Sequence, residues 1–382
     1  MLKGRVILFG VFGLAVLVVL LILINPVAQK DTDIRIGAVF PLSGRFAAMG
    51  TPLKYATDIA VTEVNAEGLS GKRRIRILYE DSKGVPKDGA TAAQKLITVD
   101  KTPIITSFLT GVCEAIKPIS ESSGVLFLAQ TVAPRIHLGS KLTVRFHYSF
   151  TEEGRIISEF IVNQKIKKIG IISSNDPSTT YQVDSVILPI VLKNGIIVEK
   201  ENFSIGNKDF SAIVQKMKSS NADLVYLAGY GNDMPAILTE LHKSKMTAQN
   251  MIVCGNIGFI ELPAGTPAEL YEGVVFTTPP FIMSAEDSLL TKFRKKYQEL
   301  SGEEQVGYAA YYAYDMIKIL AEVLKRSSSV DPTALRANLA GEFRGICGIY
   351  TVTPDGDVTP PVTLGRYVNG AIVPVAQSQR EK

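Results

Sequence analysis

At 382 residues the chain is long enough for two domains of ordinary size. Its formal charge of +4 overstates its basicity, because Lys3, Arg5 and Lys30 supply three of those charges ahead of the first acid, Asp31. The remainder is near neutral, which argues against the clustered basic face that a nucleic-acid partner would need. Residues 6–24 contain no charged or strongly polar side chain, and such a run could cross a bilayer as a helix of roughly 28 Å. Lys3 and Arg5 precede it, favouring an N-terminus inside and the rest of the chain outside. The run is longer than an ordinary signal-peptide core, so a cleaved signal ending at Ala28 and an uncleaved anchor both remain open.

Residues 33–40 then read as a short apolar strand entering the Ser43-Gly44 turn. A strand that ends in such a turn and opens a helix leaves backbone N–H groups facing a cleft. The next stretch, 51–67, places Leu53, Ala56, Ile59, Ala60 and Val64 at helical spacing, and 74–80 alternates as a strand. Further strands are predicted over 103–106, 125–128, 168–173, 196–203, 223–228, 251–254 and 273–277. Between and after them the periodicity predicts helices over 88–99, 115–122, 152–163, 183–193, 210–219, 233–245, 284–301 and 306–326. Asp331 and Pro332 read as the cap and first position of a further helix. Strand and helix in alternation imply parallel sheets, and the number of strands exceeds one small sheet. The predicted fold class is α/β, with two doubly wound parallel-sheet lobes.

Cys113, Cys254 and Cys347 are an odd number, so at least one is unpaired within a monomer. The simplest reading makes all three small apolar core or loop residues. None has a neighbour at metal-ligand spacing, and no metal or cofactor is expected. His137, His147 and His242 are scattered, and no Gly-x-Ser-x-Gly elbow, phosphate-binding loop, His-Glu-x-x-His helix or dinucleotide Gly-x-Gly-x-x-Gly turn occurs. Nothing in the chain argues for an enzyme.

Several segments together resemble the branched-chain amino acid (Leu/Ile/Val) type of periplasmic solute-binding protein. These are Pro41-Leu42-Ser43-Gly44, Glu80-Asp81, Pro86-Lys87-Asp88-Gly89-Ala90, Lys208-Asp209-Phe210-Ser211, Ala222-Asp223-Leu224-Val225-Tyr226, Ala228-Gly229-Tyr230 and Phe343-Arg344-Gly345-Ile346-Cys347-Gly348. The resemblance implies the type I periplasmic-binding fold, two lobes joined by a three-stranded hinge that closes around a ligand. It divides the chain into a leader or anchor (1–30), a first lobe (31–149 and 279–343) and a second lobe (150–278 and 344–382). Crossings between lobes are expected near 148–151, 278–281 and 342–345.

The resemblance also implies a set of ligand contacts. Thr110 and Gly111 open a helix whose N-terminus favours anions, and in the family a hydroxyl residue there holds the ligand carboxylate; a plain helix cap is the other reading of Thr110. In the adjacent loop, Thr131 or the backbone around Ala133 takes the place of a family Thr. Tyr230 matches an aromatic residue that packs on ligand. Ser178 and Tyr181 belong to the second lobe's other contact loop, and Met49 takes the place of an aromatic pocket wall or packs in the core. At Ile257 amino-acid-binding members have an acid that pairs with the ligand ammonium, so a simple α-amino acid is disfavoured unless Asp233, Glu261 or Asp176 takes over. The expected function is capture of a small amino acid-like or carboxylate ligand in the periplasm and delivery to an ABC-type permease. A membrane-anchored ligand sensor working through a separate signalling partner is the alternative.

Overall fold

The computed structural model describes residues 33–69, 73–229, 233–246, 252–255, 266–283, 288–327 and 329–375. The apolar run 6–24 and the predicted contacts Tyr230 and Ile257 lie outside the described residues. Among the described residues no helix is long and apolar enough to cross a membrane.

The first sheet is built on β1 (Asp33–Phe40), β2 (Arg74–Asp81), β3 (Ile104–Phe108), β4 (Leu126–Gln130) and β5 (Thr143–Phe146), all paired in parallel. β3, β4 and β5 are buried along their whole length, as strands covered by helices on both faces must be. On one face lie α1 (Ala47–Glu67) and the later helices; on the other lie α2 (Pro86–Thr98) and α3 (Thr110–Ser122), packed around Leu96, Ile105, Val112 and Phe127. The predicted apolar stripe of α1, Leu53 to Val64, is buried. Asp81 holds the Ser-Gly turn in place: Oδ1 accepts from the N–H groups of Leu42 at 2.8 Å and Ser43 at 3.2 Å, and Oδ2 accepts from the Ser43 hydroxyl.

The second sheet repeats the plan with β6 (Lys168–Ser174), β7 (Ile197–Phe203), β8 (Leu224–Ala228), β9 (Ile252–Cys254) and β10 (Val275–Thr278). One face carries α4 (Phe150–Asn163), α5 (Pro177–Tyr181), a π-helical turn (Gln182–Ile187) and α6 (Leu188–Lys193); the other carries α7 (Ser211–Ser219) and α8 (Asp233–Lys243). The chain then returns to the first lobe through α9 (Ser288–Ser301), α10 (Tyr308–Arg326) and α11 (Pro332–Asn338). Asp331 caps α11 as expected, accepting from Ala334 N–H at 2.8 Å, with Pro332 at its first position.

Sheet order in the first lobe is β2-β1-β3-β4-β5 and in the second β7-β6-β8-β9-β10, the same winding in two halves that share no visible sequence repeat. In each, the strand order reverses beside the first strand, and a doubly wound sheet binds at that switch point. Cys113, Cys254 and Cys347 are unpaired and buried, in keeping with the core reading.

The C-terminal segment departs from the expected division. Phe343 to Gly348 is not a crossing but the turn of a hairpin, β11 (Gly341–Gly345) and β12 (Gly348–Val352), followed by β13 (Asp357–Thr359), which pairs in parallel with β5. All three strands extend the first sheet, and only β14 (Thr363–Val368) and β15 (Ala371–Pro374) join the second. The third crossing therefore runs through residues 360–362, and 344–359 belong with the first sheet. The physical reason is a buried carboxylate. Asp315 of α10 accepts from the backbone N–H groups of Ile346 at 2.8 Å and Cys347 at 2.9 Å, pinning the hairpin turn to the first lobe. Gly345 is required there, because a Cβ on it would lie 2.3 Å from the Asp315 carboxyl carbon.

Candidate ligand cleft

A cavity of about 540 Å³ opens where the C-terminal ends of the first-lobe strands meet the loops of the second lobe. Its walls come from the loop after β1, the starts of α3 and α5, the ends of β4 and β5, the loop after β7 and the start of α10. It lies at the switch point that the doubly wound sheet order predicts.

Thr110 stands at the first position of α3, after Leu109, whose φ of 76° is left-handed. A branched residue in that region is strained by about 1–3 kcal/mol, a cost tolerated where surrounding packing fixes it, commonly at sites. Here the strain turns the chain sharply out of β3, so that Leu109 ends outside the helix and α3 starts at the cleft. The N-cap residue, Leu109, supplies no side-chain cap, and Thr110 is the first helical residue. The Thr110 hydroxyl lies 2.9 Å from that of Thr131 and 3.3 Å from that of Ser178. Three hydroxyls, from the starts of α3 and α5 and from the loop after β4, thus converge from both lobes beside a helix N-terminus, where backbone N–H groups and the helix dipole favour an anion.

Of the other predicted contacts, Gly111 and Met49 line the cavity. Met49 also packs against the first-lobe core. Ala133 does not line the cavity; it is buried, and its N–H donates to the Thr131 hydroxyl at 3.1 Å, which orients that hydroxyl. Tyr181 is likewise outside the cavity wall, its hydroxyl 3.3 Å from that of Thr151.

Two of the three acids named as alternative ammonium partners already accept hydrogen bonds from the protein. Asp176 lines the cavity, but Oδ1 accepts from Ser178 and Thr179 N–H, each at 3.0 Å, and Oδ2 from the Ser174 hydroxyl at 2.6 Å. Both oxygens of buried Asp233 accept from Gly206 N–H at 3.1 and 3.0 Å. Glu261 lies outside the described residues. At the cleft, Glu114 sits on the exposed side of α3, and the guanidinium of Arg45 lies 4.3 Å from the centre of the Phe46 ring.

Sequence reasoning missed part of the wall: Phe108, Gln130, His147, Phe150 and Tyr308. His147 follows β5, a four-residue strand too short to stand out, and it is 4% exposed against the rings of Tyr148, Tyr308 and Tyr312. Burial, with the neighbouring Arg145 charge adding to it, pushes its pKa down to about 3, so the ring is uncharged at neutral pH. The Tyr148 carbonyl pulls the other way, but Arg145 already donates to it at 2.9 Å.

The family model for periplasmic binding proteins matches residues 33–371, nearly the whole described chain. The chain belongs to that family. Its relatives in sequence include a Leu/Ile/Val-binding protein homologue of Brucella melitensis, 26% identical over 89% of this chain and 93% of that one. Another is a Leu/Ile/Val-binding protein of Rhizobium johnstonii, 27% identical over the same shares of the two chains. Among solved structures, the isoleucine complex of a branched-chain amino acid binding protein from Streptococcus pneumoniae superimposes with a TM-score of 0.77 at 23% identity, covering 89% of this chain and 97% of that one. A solute-binding protein of Rhodopseudomonas palustris in complex with p-hydroxybenzoic acid superimposes with a TM-score of 0.78 at 19% identity, covering 90% and 95%. At these identities the structures show the fold: the two-lobed architecture of periplasmic binding proteins. The family consists of solute-binding proteins, not enzymes.

Proposed function

We infer that this periplasmic binding protein captures a small organic acid without an α-amino group, outside the cytoplasm, and delivers it to an ABC-type permease. The observation that carries the reading is the hydroxyl cluster of Thr110, Thr131 and Ser178, which spans the two lobes at the start of α3, while the neighbouring Asp176 accepts from the N–H groups of Ser178 and Thr179. A carboxylate placed among those hydroxyls gains charge-assisted hydrogen bonds, and among the described residues the acids of the cavity wall are the exposed Glu114 and Asp176, whose oxygens already accept three hydrogen bonds. Solved relatives of the fold have been captured with amino acids and with benzoic acids, so the fold admits either class. In this reading residues 6–24 direct export, and sequencing the N-terminus of the mature protein decides between cleavage and anchoring.

The deciding experiment is a thermal-shift screen of the purified chain from Asp31 onward against amino acids, short carboxylates, aromatic acids, amides and sugars. A rise of several degrees with amine-free acids alone is expected. A rise with leucine, isoleucine or valine instead would sink the amine-free assignment. For the acid that gives the largest shift, Thr110→Val should weaken binding about tenfold, the value of one hydrogen bond to a charged group, while leaving the unliganded melting temperature within a few degrees of wild type. Unchanged affinity in isothermal titration would remove Thr110 from the site.

A further inference from the structure

Beside the hydroxyl cluster, two buried side chains bring unspent bonding capacity to the cleft. Neither ring nitrogen of His147 has a hydrogen-bond partner among the described residues, and the same is true of Oε1 of Gln130, which is 0% exposed. Both residues line the cavity. Gln130 Nε2 donates to Thr106 Oγ1 at 3.3 Å, an arrangement that leaves its carbonyl oxygen over.

The His147 ring is held rather than free to swing into water. The rings of Tyr148, Tyr312, Tyr308 and Phe108 surround it at centroid distances of 4.7, 5.0, 6.0 and 6.2 Å. Its backbone is fixed as well, since Arg145 donates to the His147 carbonyl at 2.7 Å. Buried polar atoms in native proteins are nearly always satisfied, so those left over at a cavity wall call for a partner that enters the cavity.

We propose that His147 and Gln130 form a second polar contact in the cleft, which receives an uncharged hydroxyl of the ligand, separate from the acid held by Thr110, Thr131 and Ser178. A neutral imidazole has one donor and one acceptor, and the Gln130 carbonyl oxygen is an acceptor. A hydroxyl group, donor and acceptor at once, complements that set. A second carboxylate would meet the acceptor oxygen of Gln130 and a ring that does not carry charge, so it is the poorer match. The inference rests on the reading of this cleft as the binding site, but not on the ligand's lacking an amine.

The test uses two matched pairs that differ by a hydroxyl, benzoate with 4-hydroxybenzoate and valine with threonine, titrated into wild type, His147→Phe and Gln130→Leu. In at least one pair the hydroxylated member should bind wild type tenfold tighter or more, because a site built for a hydroxyl penalises the analogue that leaves its buried groups unpaired. In His147→Phe that preference should fall to within about threefold while the unhydroxylated member binds as well or better. Should His147→Phe fail to fold, Gln130→Leu carries the same comparison. Absence of preference in every pair that wild type binds overturns the proposal, as does a preference that survives both substitutions, or binding of neither pair. Which pair binds reports separately on the proposed function: binding of the valine and threonine pair alone would end the amine-free assignment, and the hydroxyl preference within that pair would still decide the roles of His147 and Gln130.

Discussion

Replacing Asp315 with alanine should destabilise the protein by about 3 kcal/mol or more, as expected when a buried hydrogen-bonded carboxylate is removed and its donors are left unpaired. The residue is 1% exposed, and its donors are the N–H groups of Ile346 and Cys347 and the hydroxyl of Tyr350, the last at 2.8 Å. These groups belong to the hairpin of β11 and β12, so its loss frees the strands that extend the first sheet toward the third crossing. Asn is not a neutral substitute, since its amide N–H₂ must face one of the backbone N–H groups. The same site makes a pH prediction. Burial raises the Asp315 pKa from 3.8 to about 6, against the hydrogen bonds, which lower it. A folded-state pKa above the unfolded value means that the contribution is fully present below about pH 4 and is lost as pH rises through 6. Wild-type stability minus that of Asp315→Asn, measured by urea denaturation, should therefore fall by up to roughly 3 kcal/mol between pH 4 and pH 7, following the shift of about two pKa units. A difference that stays flat across that window would show that the carboxyl ionises in the fold as easily as in the unfolded chain.

Most of the first ten strands are readable from the sequence, because each central strand is an apolar run bounded by turn residues and the helices between them carry a stripe at helical spacing. The predicted spans for β3, β4, β6, β7, β8, β9 and β10 fall within about two residues of those observed. β5 escaped because Thr143 to Phe146 is four residues long and includes a fully buried Arg145. The C-terminal strands escaped for a related reason: β11 to β15 are short, and Gly345, Gly348, Pro354, Gly356, Pro360 and Pro361 interrupt or flank them, so their pairing is set by tertiary partners such as Asp315 rather than by local pattern. The site divides the same way. Thr110 was legible as a candidate because it opens a helix after a strand, whereas Thr131 and Ser178 were named from the family resemblance; the structure brings the three hydroxyls together. His147 and Gln130 were not legible, since nothing local tells a satisfied core histidine or glutamine from one whose polar atoms are left for a cavity. Tyr181 shows the converse: it neighbours Ser178 in sequence, yet it points toward Thr151 of the first crossing's helix rather than into the cleft.

Arg145→Ala is expected to be among the most damaging single changes, costing about 3–5 kcal/mol, because it strands a buried ionic network rather than a surface pair. The guanidinium is 0% exposed. Its Nε donates to Asp357, Nη1 to the carbonyls of His147 at 2.7 Å and Tyr148 at 2.9 Å, and Nη2 to the carbonyl of Val358 at 3.0 Å. Those partners are the residues leading into the first crossing and the strand leading into the third. One planar group thus fixes the spacing of two of the three segments that join the lobes. Lysine keeps the charge but not the fork, and with three donors on a flexible stem it cannot reach Asp357 and three carbonyls in that geometry, so Arg145→Lys should recover only a minor part of the loss. Where the variant folds, ligand binding should weaken as well, because the carbonyls of His147 and Thr131, 2.7 and 3.5 Å from Arg145 Nη1, lose that anchor. Urea denaturation of wild type, Arg145→Ala and Arg145→Lys measures the first effect and titration with the best acid of the thermal-shift screen the second. A loss below about 1 kcal/mol in the alanine variant would mean that water replaces the guanidinium at these carbonyls, and that the crossings are held by the packing of Phe146, Tyr148 and Tyr350 instead.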